Sequence, residues 1–360
     1  MPPAFRAESG AMVRVRAGRF SGYGIFSRGG QIALRILSCH EPPDAAWVAA
    51  RIRDARDLRA PFIAADTTAY RLVFGEGDLL PGVTVDVYGS FGVVATYADG
   101  LDALARWAAE AATLELGLAG VLWRRRAESE GARGTTLLSG RQPPGEVVVS
   151  EHGARFAVDL VRSQKTGLFL DHRENRRRVA MLCAGKSVLN LFAYTGGFSV
   201  HAALAGARHV TSVDVAQPVM TAAMRNFELN GLDSAAHEFV AEDAFAWLES
   251  ARRRGLRYDV VICDPPSFAK RREQRRDALK AYKRLNSAVL RVVSAGGYLA
   301  TASCTSQVEP EAFRRVVAEA AMRARRRLQL VLEAGAGPDH PTLVVHPEGR
   351  YLKFLLGRVT

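Results

Sequence analysis

The chain has 360 residues, 48% of them hydrophobic and 24% charged, with a formal net charge of +12. That length allows two or three domains, each with its own core. No uncharged apolar run is long enough to cross a bilayer and the first thirty residues hold no apolar signal segment, so a cytoplasmic protein without a membrane partner is expected. The excess charge lies in the second part: residues 1–150 carry 17 Lys and Arg against 16 Asp and Glu, residues 151–360 carry 32 against 21. Such an imbalance points to a polyanionic partner. Taken singly, the arginine runs at 176–178, 252–254 and 325–327 read as solvated helix faces. The four cysteines, Cys39, Cys183, Cys263 and Cys304, show no CxxC pairing and no spacing with histidine suited to zinc, so reduced thiols and no metal are expected.

In chain order, residues 12–38 alternate apolar and polar side chains with glycine punctuation, as short antiparallel strands of a small barrel do. A helix, DAAWVAARIRDARDLRA, should start at Asp44 behind Pro42 and Pro43. Residues 70–97 are β-rich, with turn signals at GEGD, LPG and YGS, and the helix LDALARWAAEAATLELG follows. Residues 124–144 are polar and turn-rich and lead into strands around 146–161. After Val179 the strands SVLNLFAY, HVTSVDV, HEFVAED, YDVVICD and GYLATASC alternate with helices, which predicts a mostly parallel sheet covered on both faces. LQLVLEA and YLKFLLGRV add two more strands and close a seven-stranded α/β domain.

In such an open sheet, ligands bind beyond the carboxyl ends of the strands, so polar residues at strand ends carry the information. The first strand runs into NLFAYTGGF, where Thr195, Gly196 and Gly197 permit a tight turn whose amides open the next helix. The next strands end in Asp214, in Glu242 and Asp243, in Asp264 and in Cys304. A carboxylate ending the second strand suits two ribose hydroxyls, because it only accepts hydrogen bonds. The phosphate-cradling GxGxxG is missing, which argues against a dinucleotide and an NAD-dependent dehydrogenase. S-adenosylmethionine makes no such demand. It fits with Asp214 on the ribose, Asp243 near the adenine amine and the TGG turn at the methionyl end; the alternative for Asp214 is a helix N-cap. DPPSF leaves the fourth strand rigidly, its prolines donating no N–H, so that Asp264 could hydrogen-bond a base edge; DPP could equally only stop a strand.

YRLVFGEGDLLPGVTVDVYG, SQKTGLFLDHRENR, NLFAYTGGFSVHAALAGA, VICDPPSFAK, AYKRLN, the SC of TASCTS and HPEGRYLK together resemble the class I methyltransferases that modify 23S ribosomal RNA, closest to those that make 5-methylcytosine. The resemblance covers nearly the whole chain. It implies a PUA-like domain with a helical linker over residues 1–65, a central α+β domain over 66–160, and a Rossmann-like methyltransferase domain over 161–360. The part before Met12 is short for the usual opening strand of a PUA domain. Cofactor contacts implied by the resemblance are Asn190, Phe192, Tyr194, Thr195, Gly196, Asp214, Asp243 and, from the QKTGLFLD segment, Gln164, Lys165, Thr166 and Asp171. Base and phosphate contacts are expected from Pro265, Pro266, Phe268, Lys270, Arg271 and Arg272, with Asp264 and Cys304 catalytic. The partner would be 23S rRNA or a large-subunit assembly intermediate, with a homodimer left open.

Carbon 5 of cytosine is a poor nucleophile until a thiolate adds at C6, and Cys304 at a strand end in a basic site is placed for that. The target base would have to be splayed out of its stack. Free cysteine is also among the most buried residue types, so Cys304 could simply be packed. Cys263 should turn into the sheet by strand alternation, and Cys183 and Cys39 read as packing residues. Three other readings stay open: methylation of guanine N7 or an exocyclic amine with Cys304 idle, the dehydrogenase, and a non-catalytic RNA-binding assembly factor.

Overall fold

Alternation in MVRVRA and FSGYGIF produces the first antiparallel pair, β1 (Met12–Ala17) and β2 (Phe20–Phe26), to which β3 (Leu34–Ser38) adds as a third strand. The computed structural model describes residues 6–28, 32–125, 135–162, 167–269 and 271–360. Two compact units comprise Met1–Ser150, Val158–Thr166 and Pro338–Gly349 in the first, and Glu151–Ala157, Gly167–Gly337 and Arg350–Thr360 in the second.

In the first unit, α1 (Ala45–Arg59) begins where Asp44 accepts from the Trp47 amide at 2.8 Å, the N-cap its sequence announces. A five-stranded sheet follows, in the order β4 (Ala69–Phe74), β5 (Val83–Tyr88), β6 (Phe91–Thr96), β7 (Gly120–Arg125) and β8 (Thr135–Gly140). Only β6 and β7 run parallel, because α2 (Asp102–Leu116) crosses between them. Val48, Ile52 and Ala55 of α1 share one core with Leu104, Ala105 and Ala108 of α2 and the apolar face of the sheet. Inside this unit Arg59, 1% exposed, forks onto both oxygens of Asp78 at 2.7 Å. β9 (Val147–Glu151) and β10 (Ala154–Val158) come next in the chain.

The second unit is built on α3 (Arg173–Ala180), β11 (Ser187–Leu191), α4 (Gly197–Leu204), β12 (His209–Asp214), α5 (Gln217–Leu229), β13 (Glu238–Ala241), α6 (Ala244–Arg253), β14 (Tyr258–Cys263), α7 (Arg275–Leu290), β15 (Val293–Ser303), α8 (Pro310–Arg323), β16 (Leu328–Ala334) and β17 (Lys353–Val359). Its seven strands lie in the order β13, β12, β11, β14, β15, β17, β16. The first five are mutually parallel, and β17 is antiparallel to both β15 and β16. The apolar runs of β11 and β14 are buried on both faces, the signature of interior parallel strands. Leu189, Leu191, Val261, Leu285, Val289 and Leu299 join strands and helices in one core. The seven-stranded α/β architecture expected for this part of the chain is the one found. Among the described residues no helix is long and apolar enough to cross a membrane.

The cysteines and arginine runs show two departures from expectation. Cys39 is exposed, not packed, because it follows β3 into a turn. Arg176, in a run expected to face solvent, is 3% exposed. It donates twice at 2.6 Å to Glu151, and Glu151 also meets His201 at 3.0 Å. Charge runs give no phase, so only packing could show which of three arginines points inward.

Candidate active site

Strand order reverses between β11 and β14: β12 and β13 lie on one side of β11, β14 and β15 on the other. The loops leaving β11 and β14 therefore diverge and open a crevice at their carboxyl ends. Most of the polar residues singled out above end strands at this edge.

The loop after β11 is unusual in its backbone. Phe192 (φ 58°), Tyr194 (φ 48°) and Gly196 (φ 79°) all adopt the left-handed region, which non-glycine residues rarely occupy without compensation. The compensation is a set of specific hydrogen bonds. The Ala193 amide donates to the Val213 carbonyl at 3.0 Å, the Tyr194 amide to Asp214 Oδ2 at 3.0 Å, and Asn226 Nδ2 to the Thr195 carbonyl at 2.8 Å. Thr195 Oγ1 donates to the Gly167 carbonyl at 2.8 Å, tying the loop to the segment before α3. At Gly196 a Cβ would lie 3.1 Å from that of Ala223 on α5, besides being strained at this φ, so the position requires glycine. Asp214 is not the N-cap of α5. Its Oδ1 accepts from the Ala216 amide at 3.3 Å, so its two oxygens brace the loops on both sides and retain lone pairs for further donors.

On the other side of the crevice, Asp264 follows β14 and faces His172 Nε2 at 3.2 Å, an ion-pair separation with an angle short of a good hydrogen bond. Asn175 Oδ1 accepts from Arg178, which turns Asn175 Nδ2 toward His172 Nδ1 at 3.2 Å and leaves the imidazole proton on Nε2, toward Asp264. Burial alone would lower the pKa of His172; the Asp264 carboxylate outweighs it, and the net shift is upward. The ring is fixed edge-on against Phe198 and Phe354, at centroid distances of 5.4 and 6.0 Å.

Cys304 comes directly after β15 and is half-buried. The pairing of Cys263 with Thr301 across β14 and β15 brings the segments that follow, with Asp264 and Cys304, to the same edge of the sheet. Tyr282 of α7, whose hydroxyl burial pushes well above its usual range, feels both Cys304 and Asp264. Lys353 opens β17 opposite Ser303, 5% exposed, and its Nζ donates to the carbonyls of Thr305 and, at 2.8 Å, Tyr351. Burial lowers its pKa to about 8 against the opposing pull of Cys304.

The remaining expected site residues are placed as follows. Asp171 accepts from the Tyr351 hydroxyl at 2.5 Å beside the crevice, and Tyr194 stacks edge-on to Phe169 at 5.2 Å. Others turn away from it: Asn190, 1% exposed, donates to Ser199 at 2.9 Å, and Phe192 and Phe268 pack against the core, Phe268 at 4.8 Å from the Tyr282 ring. Asp243 spends Oδ1 on capping α6, accepting from the Phe245 and Ala246 amides at 2.9 and 3.1 Å. In the loop after β14, Pro265 is buried while Pro266, Arg271 and Arg272 are exposed. Gln164, Lys165, Thr166 and Lys270 lie outside the described residues. Cys263 is fully buried, as alternation required. His172, Lys353 and Tyr351 were not anticipated. All three sit in the motifs SQKTGLFLDHRENR and HPEGRYLK, and Lys353 opens a largely apolar strand, where a buried charge must be compensated.

The crevice suits a nucleoside cofactor by its polar groups: a braced acceptor carboxylate at Asp214 and a left-handed loop beside it. A family model for S-adenosylmethionine-dependent methyltransferases matches residues 99–356. The chain is 35% identical over 367 residues to ribosomal RNA large subunit methyltransferase I of Klebsiella pneumoniae strain 342, covering 98% of this chain and 91% of that protein. It is 37% identical to the protein of the same name from Photobacterium profundum, covering 93% and 86%. A crystal structure of a methyltransferase complexed with SAH superposes with a TM-score of 0.88 at 27% identity, over 99% of this chain and 93% of that one. A SAM-dependent methyltransferase from Streptococcus mutans superposes at 0.86 and 26% identity, with the same coverage. S-adenosylmethionine is thus the cofactor, and the chain belongs to the family of S-adenosylmethionine-dependent methyltransferases that includes the ribosomal RNA large subunit methyltransferase I proteins.

Proposed function

We propose that the protein methylates carbon 5 of a cytosine in 23S ribosomal RNA, with Cys304 as the nucleophile. The observation that carries this reading is the half-buried Cys304 thiol at the end of β15, on the same sheet edge as Asp264 and beside a buried cation. The names of the relatives support large-subunit rRNA as the substrate, and so does the basic second half of the chain.

When bound, S-adenosylmethionine supplies an electrophilic methyl group. Asp214 would accept from the ribose hydroxyls, with Tyr194, Thr195 and Gly196 closing round the methionyl end, Asp171 beside them, and the Asp243 oxygen not used in capping near the adenine amine. Asp264, oriented by His172, would accept from the exocyclic amine and from N3 in its protonated form, which makes the ring more electrophilic at C6, with Pro266 bordering the base. Arg271 and Arg272 are exposed just after this loop and would meet flanking phosphates. The Cys304 thiolate forms the S–C6 bond while the C5–C6 π pair moves toward C5. C5 then takes the methyl group, leaving S-adenosylhomocysteine; the C5 proton passes to solvent, its bonding pair re-forms the C5–C6 π bond, and the S–C6 pair returns to sulfur.

The test is incubation of the purified protein with S-adenosylmethionine and large-subunit rRNA, followed by mass spectrometry of the digested nucleosides. 5-Methylcytosine is the expected product. A methylated guanine or adenine in its place would assign Cys304 to packing and defeat the proposal. A second expectation concerns the cofactor alone: Asp214→Ala should weaken S-adenosylmethionine binding by about 100-fold in calorimetry. That follows from two charge-assisted hydrogen bonds at ~1.5 kcal/mol each. An unchanged affinity would remove Asp214 from the cofactor site.

A further inference from the structure

Lys353 is a buried cation whose presence the fold alone does not explain. It lies 5% exposed at the start of β17, where an apolar residue would pack at no electrostatic cost. Its hydrogen-bond partners are two backbone carbonyls, those of Thr305 and Tyr351, and among the described residues no carboxylate lies within ion-pair distance of it. The first of those carbonyls belongs to the residue after Cys304, and β17 pairs Lys353 with Ser303, the residue before it. The ammonium is therefore tied to the residues on either side of Cys304 and acts on the sulfur electrostatically. Among the described residues, titratable groups that bear on this corner include Tyr282 from α7, whose burial keeps it neutral, and Asp264 after β14 with its partner His172. Asp264 is drawn toward His172, and Lys353 is a cation that bears electrostatically on the sulfur.

We propose that Lys353 activates Cys304 by holding it as a thiolate in a lysine–cysteine ion pair. This rests on the reading of Cys304 as the nucleophile. Burial has already brought the lysine down to about 8, close to an ordinary thiol. One proton is then shared: amine with thiol and ammonium with thiolate are two forms of the same protonation state. The S–H proton passes to the amine nitrogen, the thiolate forms the S–C6 bond, and expulsion from C6 regenerates it beside the same ammonium, so no proton is consumed over the cycle. Lys353 touches neither base nor cofactor in this scheme; it tunes the sulfur.

The experiment follows alkylation of Cys304 by iodoacetamide against pH, located by peptide mass spectrometry. It uses the full chain carrying Cys39→Ser, since Cys39 is the other cysteine that is not buried. With Lys353 in place, half-maximal reactivity is expected at pH about 7.5 or below, as for thiols beside a cation. A midpoint at or above about 8.5, the value of a simple thiol, overturns the proposal without any substitution at Lys353. Lys353→Met should move the midpoint up by about one unit, and Lys353→Arg should hold it near the parent value. Profiles of Lys353→Met and the parent that superimpose would also overturn it. Methylation gives a matching signature: Lys353→Met should be about tenfold slower at pH 7 and recover at pH 9.5, where a purely structural defect would persist. Full methylation by Cys304→Ala would instead defeat the nucleophile reading and leave the alkylation profile to judge the ion pair separately.

Discussion

Cys304→Ala is expected to lower formation of 5-methylcytosine by about 10⁴-fold or more while leaving S-adenosylmethionine affinity unchanged, because removing a covalent nucleophile eliminates the pathway instead of weakening one contact. The side chain ends β15 without entering the core clusters around it, so the substitution should cost little stability. Two measurements separate chemistry from folding. Calorimetry with the cofactor should give parent-like binding. Rapid mixing with RNA carrying 5-fluorocytidine at the target should trap a protein–RNA adduct that survives denaturation in the parent and is missing in the variant, because fluorine cannot leave C5 as the proton does. A variant that keeps even a tenth of parent activity would show that Cys304 is not the nucleophile.

The second large effect is on the fold. Arg176→Met should destabilise the second unit by about 3–5 kcal/mol, since it strands the Glu151 carboxylate, 0% exposed, with only His201 for company. On a domain of this size the loss corresponds to a melting temperature lower by on the order of 10 °C. Arg176 also donates to the Phe169 carbonyl at 2.6 Å, so the segment carrying Asp171 should loosen and cofactor affinity should fall with stability. The double variant Arg176→Met with Glu151→Gln should recover much of the loss, because no buried charge is then left alone. The pH dependence has a defined sign. Burial by itself would raise Glu151, but Arg176 and His201 overcome it and hold the carboxyl at about 2 against an ordinary 4.5. The stabilisation from this lowered pKa is complete above pH 4.5 and is lost as pH falls toward 2. Parent and Arg176→Met should therefore differ most above pH 4.5 and converge in acid. A gap that stays constant down to pH 2.5 would show that packing of the arginine stem, not the ion pair, is what matters.

Strand ends carry their own signals in the sequence. Asp214, Asp264 and Cys304 each terminate an apolar run, and a parallel sheet sends every such terminus to one edge. The TGG turn was equally visible, though not that Phe192 and Tyr194 would share its left-handed backbone. Reading side-chain direction within a loop was harder. Phe268, expected to meet the base, packs instead on the Tyr282 ring. Local order along the chain says nothing about which way a residue turns once it leaves regular structure.

Periodicity, glycine placement and the polar ends of apolar runs were enough to establish the α/β class, the seven strands and the residues that crowd their carboxyl ends. These features follow from short-range rules of backbone geometry and burial. The pairs that tune the site needed the tertiary structure: His172 with Asp264 is 92 residues apart in the chain, Glu151 with Arg176 is 25, and Lys353 reaches the Cys304 turn only because β17 runs antiparallel beside β15. Each places at least one charged or titratable group in the buried interior. Burial and the choice of partner are properties of packing between distant segments, and a linear pattern holds no record of either.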